Sequence, residues 1–114
     1  MRTKTKKIPL YTGKLTIIQT EKEETLSDVA KVLNIDFDVS NYDGMACIDK
    51  HNYIVAFIDK TTPSIIAHES IHAVGFIFQE HNIRMDANND EPIAYLLEWI
   101  VRECHRFLNI DYSK

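Results

Sequence analysis

Residues 62–75 read Thr62-Pro63-Ser64-Ile65-Ile66-Ala67-His68-Glu69-Ser70-Ile71-His72-Ala73-Val74-Gly75. Thr62 is a helix cap and Pro63 suits the first helical position, so the stretch predicts a helix running from Ser64 to about Glu80. On that helix His68 and His72 stand one turn apart. Four helical residues advance about 400°, which leaves the two imidazoles about 40° apart on one face. The H-E-x-x-H spacing therefore lets both rings meet at one tetrahedral metal ion. Glu69 is turned about 100° from His68, placed to reach a metal-bound water without being a ligand. Gly75 lies about 20° from His68 on the same wheel. It is read either as a site of close packing by a neighbouring helix or as a clearing above the ligand face.

Working outward, Met45–Asp49 and Tyr53–Ile58 are apolar and β-branched runs separated by Lys50-His51-Asn52, which predicts a hairpin. Leu15–Gln19 reads as an earlier strand. Thr25 and Asp28 form a helix-opening pair. Leu26, Val29, Ala30 and Leu33 then follow amphipathic helical spacing. Asn34 to Gly44 is polar and turn-rich. Asn82–Asn89 reads as a loop, and a last helix opens at Asn89-Asp90-Glu91-Pro92 and runs to about Leu108. The expected order is β-α-β-β-α-α: an α+β fold with a small, mostly antiparallel sheet, then the H-E-x-x-H helix and a second ligand-bearing helix.

Eighteen residues separate His72 from Glu91, which opens that second helix. A connecting loop would bring the carboxylate back over the histidines. Two neutral imidazoles, one carboxylate and a water make a catalytic zinc shell with an open position. Glu91 nevertheless lies opposite the apolar stripe of its helix (Ile93, Leu96, Leu97, Ile100, Val101, Cys104), and Glu98, two turns along, is the reserve third ligand. Tyr95, His81 and His105 are candidates for stabilising an oxyanion.

At these residues the chain resembles the gluzincin metallopeptidases, which bind zinc through the two His of H-E-x-x-H and a Glu on a following helix. By that resemblance His68, His72 and Glu91 are metal ligands and Glu69 is the general base. The short length, the strand order, and Ala94 with Leu96-Leu97 after Glu91 resemble a minimal zincin-like core of the ImmA/IrrE kind. Small phage-encoded proteins are similar too. The likeness covers about residues 45–108. The metzincin pattern fails, because Phe78 stands where a third His is required.

The chain has 114 residues, 45% of them hydrophobic and 26% charged, the proportions of one folded domain. Arg2, Lys4, Lys6, Lys7 and Lys14 occupy residues 1–14 with no acid, which reads as a basic N-terminal arm ahead of one domain over 15–114. That leaves 8 of the 13 Lys and Arg residues against all 17 acids in the body. So acidic a body argues against nucleic acid. Residues 25–30 suggest the first helix of a helix-turn-helix, but Asp36, Asp38 and Asp43 follow instead of a recognition helix. No apolar run is long enough to span a membrane. No apolar segment follows the basic N-terminus as in a secretory signal, which predicts a cytoplasmic protein. Cys47 and Cys104 are expected as reduced, small core residues.

The resulting expectation is a zinc metallopeptidase acting on a protein or peptide, with the substrate strand added to a sheet edge at Tyr53–Asp59. The alternative is a zincin-shaped protein-binding module, metal-binding or not, without proteolytic activity.

Overall fold

The computed structural model describes residues 1–36, 39 and 42–109. The expected turn-rich stretch lies partly outside the described residues, at Phe37, Asp38, Ser40 and Asn41, as does the end of the domain after Asn109. The elements are β1 (Arg2–Lys7), β2 (Lys14–Gln19), α1 (Leu26–Val32), β3 (Gly44–Asp49), β4 (Asn52–Phe57), α2 (Pro63–Glu80) and α3 (Glu91–Leu108). They form an α+β arrangement with one mixed sheet in the order β1-β2-β4-β3. β1–β2 and β3–β4 are antiparallel, while β2 and β4 are parallel.

Burial explains the strand order. In β4 every residue from Tyr53 to Phe57 is buried, as befits a strand covered on both faces. Alternate residues serve two cores. Tyr53, Val55 and Phe57 join Leu15 and Ile17 beneath α2 and α3. Ile54 and Ala56 join Ile18 and Met45 beneath α1. A helix as short as α1 is marginal alone. It is held by buried Leu26, Val29 and Ala30, and the Asp28 carboxylate accepts the Thr25 backbone N–H at 2.8 Å.

The basic segment is not a solvated arm. Residues 2–7 form an edge strand with all six residues exposed. Thr and Lys suit such an edge, because β-branched residues favour the strand and lysines discourage pairing with other chains. Its inward-leaning cations tie it to α3. Lys6 Nζ lies 2.8 Å from Oε1 of buried Glu103, and the Arg2 guanidinium sits 4.6 Å from the centre of the Phe107 ring.

β4 is likewise not an edge. It is flanked by β2 and β3, so the free edge beside α2 belongs to β3. Cys104 is buried, but Cys47 on β3 is only half-buried. Among the described residues, no helix is long and apolar enough to cross a membrane.

The turn joining β1 to β2 depends on Gly13, with φ of +123°. A Cβ there would stand 2.6 Å from the His51 carbonyl oxygen and 2.9 Å from the Tyr53 ring. Both the backbone conformation and the space exclude a side chain. Gly13→Ala is expected to cost about 2–3 kcal/mol, lowering Tm by about 10 °C or more in thermal unfolding. An unchanged Tm would show that the turn re-forms without strain.

Candidate metal centre

α2 begins as its sequence predicts. Pro63 occupies the first turn, and the Thr62 hydroxyl accepts the Ile65 N–H at 3.4 Å. One side of the helix is buried through Ile66, Ser70, Ala73, Val74 and Ile77. The adjoining stripe of Ile65, His68, Glu69, His72 and Phe76 lines a cleft whose opposite wall is Tyr42, Asp43 and the start of β3.

His68, Glu69 and His72 are brought together. One ring nitrogen from each histidine and one carboxylate oxygen lie within 4.8 Å of one another. The two rings are 5.0 Å apart, centre to centre, at 75°. Both histidines are exposed to the cleft while Glu69 is buried. Burial raises the Glu69 carboxyl above its ordinary pKa, and the neighbouring His68 and His72 oppose that rise. The pair of imidazoles fits zinc. Two nitrogens at about 2.0–2.1 Å from a tetrahedral ion stand about 3.4 Å apart, a separation within reach of small side-chain rotations.

β3 presses closely on this site. A Cβ on Gly44 would lie 2.9 Å from Glu69 Cγ and 3.2 Å from its Oε2. Glycine at position 44 therefore lets the strand backbone lie against the buried carboxylate.

Gly75 resolves the other way from close packing. A Cβ there would meet nothing within 4 Å, so the space beside the ligand face is open. Since glycine inside a helix costs roughly 0.5–1 kcal/mol relative to alanine, Gly75→Ala is expected to raise Tm by a few degrees. A lower Tm in differential scanning calorimetry would mean that a neighbour does require the gap.

Glu91 does not join the histidines. The Cys104 thiol lies against the Ser70 hydroxyl, between His68 and His72 in sequence, and burial pushes its pKa up to about 12. Glu91 stands 13 residues before Cys104, about 20 Å away along α3 at 1.5 Å per residue. It lines a separate hollow with Pro9, Leu10 and Tyr11. Tyr11 packs on Phe78 and His81, at the far end of α2. Glu98 lines that hollow too and pairs with Arg102 one turn along. The physical reason is helix direction. α2 continues for two turns beyond His72 before the chain reverses, so the first turn of α3 meets the end of α2 rather than its middle.

The candidate oxyanion residues also lie elsewhere. Tyr95 is exposed at the α3 hollow. The His81 ring pairs through Nδ1 with the Ile77 carbonyl at 2.7 Å, and His105 is buried on α3. The cleft residues that sequence reasoning passed over are Tyr42 and Asp43. They directly precede an edge strand, and only the sheet order turns them toward α2.

Among the described residues, His68, Glu69 and His72 are the one grouping of three or more His, Cys, Asp or Glu side chains close enough to share an ion. Comparisons with models of protein families, with curated proteins and with solved structures find no match to this chain.

Proposed function

We propose that this protein is a zinc-dependent metallopeptidase of minimal zincin-like design, in which His68 and His72 hold the ion and Glu69 is the general base, without the Glu91 ligand that a gluzincin would use. The observation that carries the reading is the convergence of those three side chains, within 4.8 Å, on a cleft beside a free sheet edge. When bound, zinc supplies a water acidified to a pKa of roughly 7 and a Lewis acid for a carbonyl oxygen. Glu69 takes the proton of the attacking water and returns it to the leaving amine. Its burial favours that exchange, since a desolvated carboxylate holds a proton more readily.

β3 provides the docking edge. Among the described residues its outer side has no strand beside it, and an extended peptide added there would run beside the cleft that His68, Glu69 and His72 line. The acidic balance of residues 15–114 favours a protein or peptide substrate over nucleic acid.

The test is metal analysis of the full chain beside His68→Ala and His72→Ala, with a peptide library as substrate. One zinc per chain and metal-dependent cleavage in the wild type, both lost in the variants, are expected. Equal metal content in all three proteins would refute the centre. Zinc without turnover would favour the zincin-shaped binding module, a reading to which the distance of Glu91 from the histidines lends weight.

A further inference from the structure

The two histidines leave a metal ion short of a third protein ligand; Glu91 and Glu98 line the separate hollow on α3, and Glu103 is buried and paired with Lys6. The cleft itself holds one further carboxylate. Besides Glu69, Asp43 is the one carboxylate lining it among the described residues. Asp43 is exposed and has no hydrogen-bond or ion-pair partner among the described residues.

Its backbone position is set by the close contact just described. Gly44 abuts Glu69, with its Cβ direction ending 2.9 Å from Glu69 Cγ. Asp43 is one Cα step, about 3.8 Å, upstream and lines the same cleft as His68 and His72. An aspartate side chain extends about as far again from its Cα. The Asp43 carboxylate lies outside the 4.8 Å grouping of His68, Glu69 and His72, so a turn of its side chain into the cleft is what would bring it to the open side of the two imidazoles. Glu69 is then left unligated and in place to act as a base.

We propose that Asp43, entering from the mouth of β3, is the carboxylate that completes the metal centre with His68 and His72, in place of Glu91 or Glu98. The proposal rests on the metal-centre reading above. The centre becomes a His, His, Asp set contributed by a helix and a sheet edge rather than by two helices. Metal binding then has a structural consequence, because it fastens Asp43, immediately before β3, to α2. Carboxylate and imidazole donors together suit zinc and other borderline divalent ions.

The experiment measures zinc affinity by competition with a chelating dye, using the full chain as wild type, Asp43→Asn, Glu91→Gln, Glu98→Gln and His68→Ala. Thermal unfolding without metal confirms that each variant is folded. Asp43→Asn is expected to weaken zinc binding by about 100-fold or more, as loss of a direct ligand should exceed the 10–100-fold typical of outer-shell losses. Glu91→Gln and Glu98→Gln should stay within about twofold of wild type. Cobalt substitution provides a second readout. Its visible absorption should change shape in Asp43→Asn and stay unchanged in Glu91→Gln. Amide exchange at residues 42–46 should slow on zinc addition in the wild type only. Wild-type affinity in Asp43→Asn, or a large loss in Glu91→Gln or Glu98→Gln, overturns the assignment of Asp43 while leaving the metal centre standing. Zinc affinity that is unaltered by His68→Ala overturns the metal centre, and Asp43 with it.

Discussion

Glu69→Gln is expected to lower peptide hydrolysis by about a thousandfold while zinc content and Tm remain those of the wild type. The substitution keeps the shape and volume of the side chain. It removes the ability to accept a proton, a function that contributes typically 10²–10⁴-fold when a positioned carboxylate acts as base. Fold and metal should be insensitive for separate reasons. Glu69 is buried against Gly44, where an amide fits as well as a carboxyl. Losing a charge that burial disfavours costs little. The imidazoles of His68 and His72 remain. The measurement pairs mass-spectrometric detection of library cleavage with zinc analysis of the same sample. Undiminished cleavage by Glu69→Gln would remove Glu69 from the chemistry. A loss of zinc in parallel would instead make Glu69 a ligand.

The largest effect on stability is expected from Phe78→Ala, at about 3–5 kcal/mol. Phe78 is 1% exposed on the second turn beyond His72, and its ring centre is 5.9 Å from that of Tyr11 in the β1–β2 turn. It belongs to the core that joins α2 and α3 to β2 and β4. Truncation removes the transfer energy of a phenyl group and leaves a cavity walled by rigid elements on several sides. Domains of this size have only about 5–15 kcal/mol in total, so Tm should fall by more than about 12 °C. Phe78 is six residues beyond His72, about 9 Å along the helix, so the donor pair keeps its geometry. Saturating zinc should therefore raise the Tm of Phe78→Ala and wild type by similar amounts. A Tm loss of only a few degrees would mean that the hairpin end closes over the gap.

Much of the framework was legible along the chain. Thr62-Pro63 marked the start of α2, Thr25 and Asp28 that of α1, and Lys50-His51-Asn52 the β3–β4 turn. These are local signals. Caps, turns and amphipathic spacing act between residues a few positions apart, so they survive in a one-dimensional reading. β1 was missed because its Thr-Lys alternation carries no apolar face. A strand exposed at all six positions looks the same as a solvated basic segment. The unbroken apolar run of β4 was itself the mark of an interior strand, and it argued against the edge position that the sequence reading assigned to it.

The candidate site divides along the same line. The sequence alone determined that His68 and His72 share one face of a helix with Glu69 about 100° round from His68, because 3.6 residues per turn makes i and i+4 neighbours whatever surrounds them. Whether Gly75 met a close neighbour or a clearing stayed open until the structure showed the space beside it empty. Whether Glu91 meets the histidines was a tertiary decision. Spacing from His72 to Glu91 counts residues, but the length of α2 beyond His72 and the direction of α3 convert that count into about 20 Å. The sheet order β1-β2-β4-β3 then brings Asp43 and Gly44 to the wall of the cleft. Strand pairing is a long-range choice, set by which strands can be buried on both faces, and no local pattern around residue 43 encodes it.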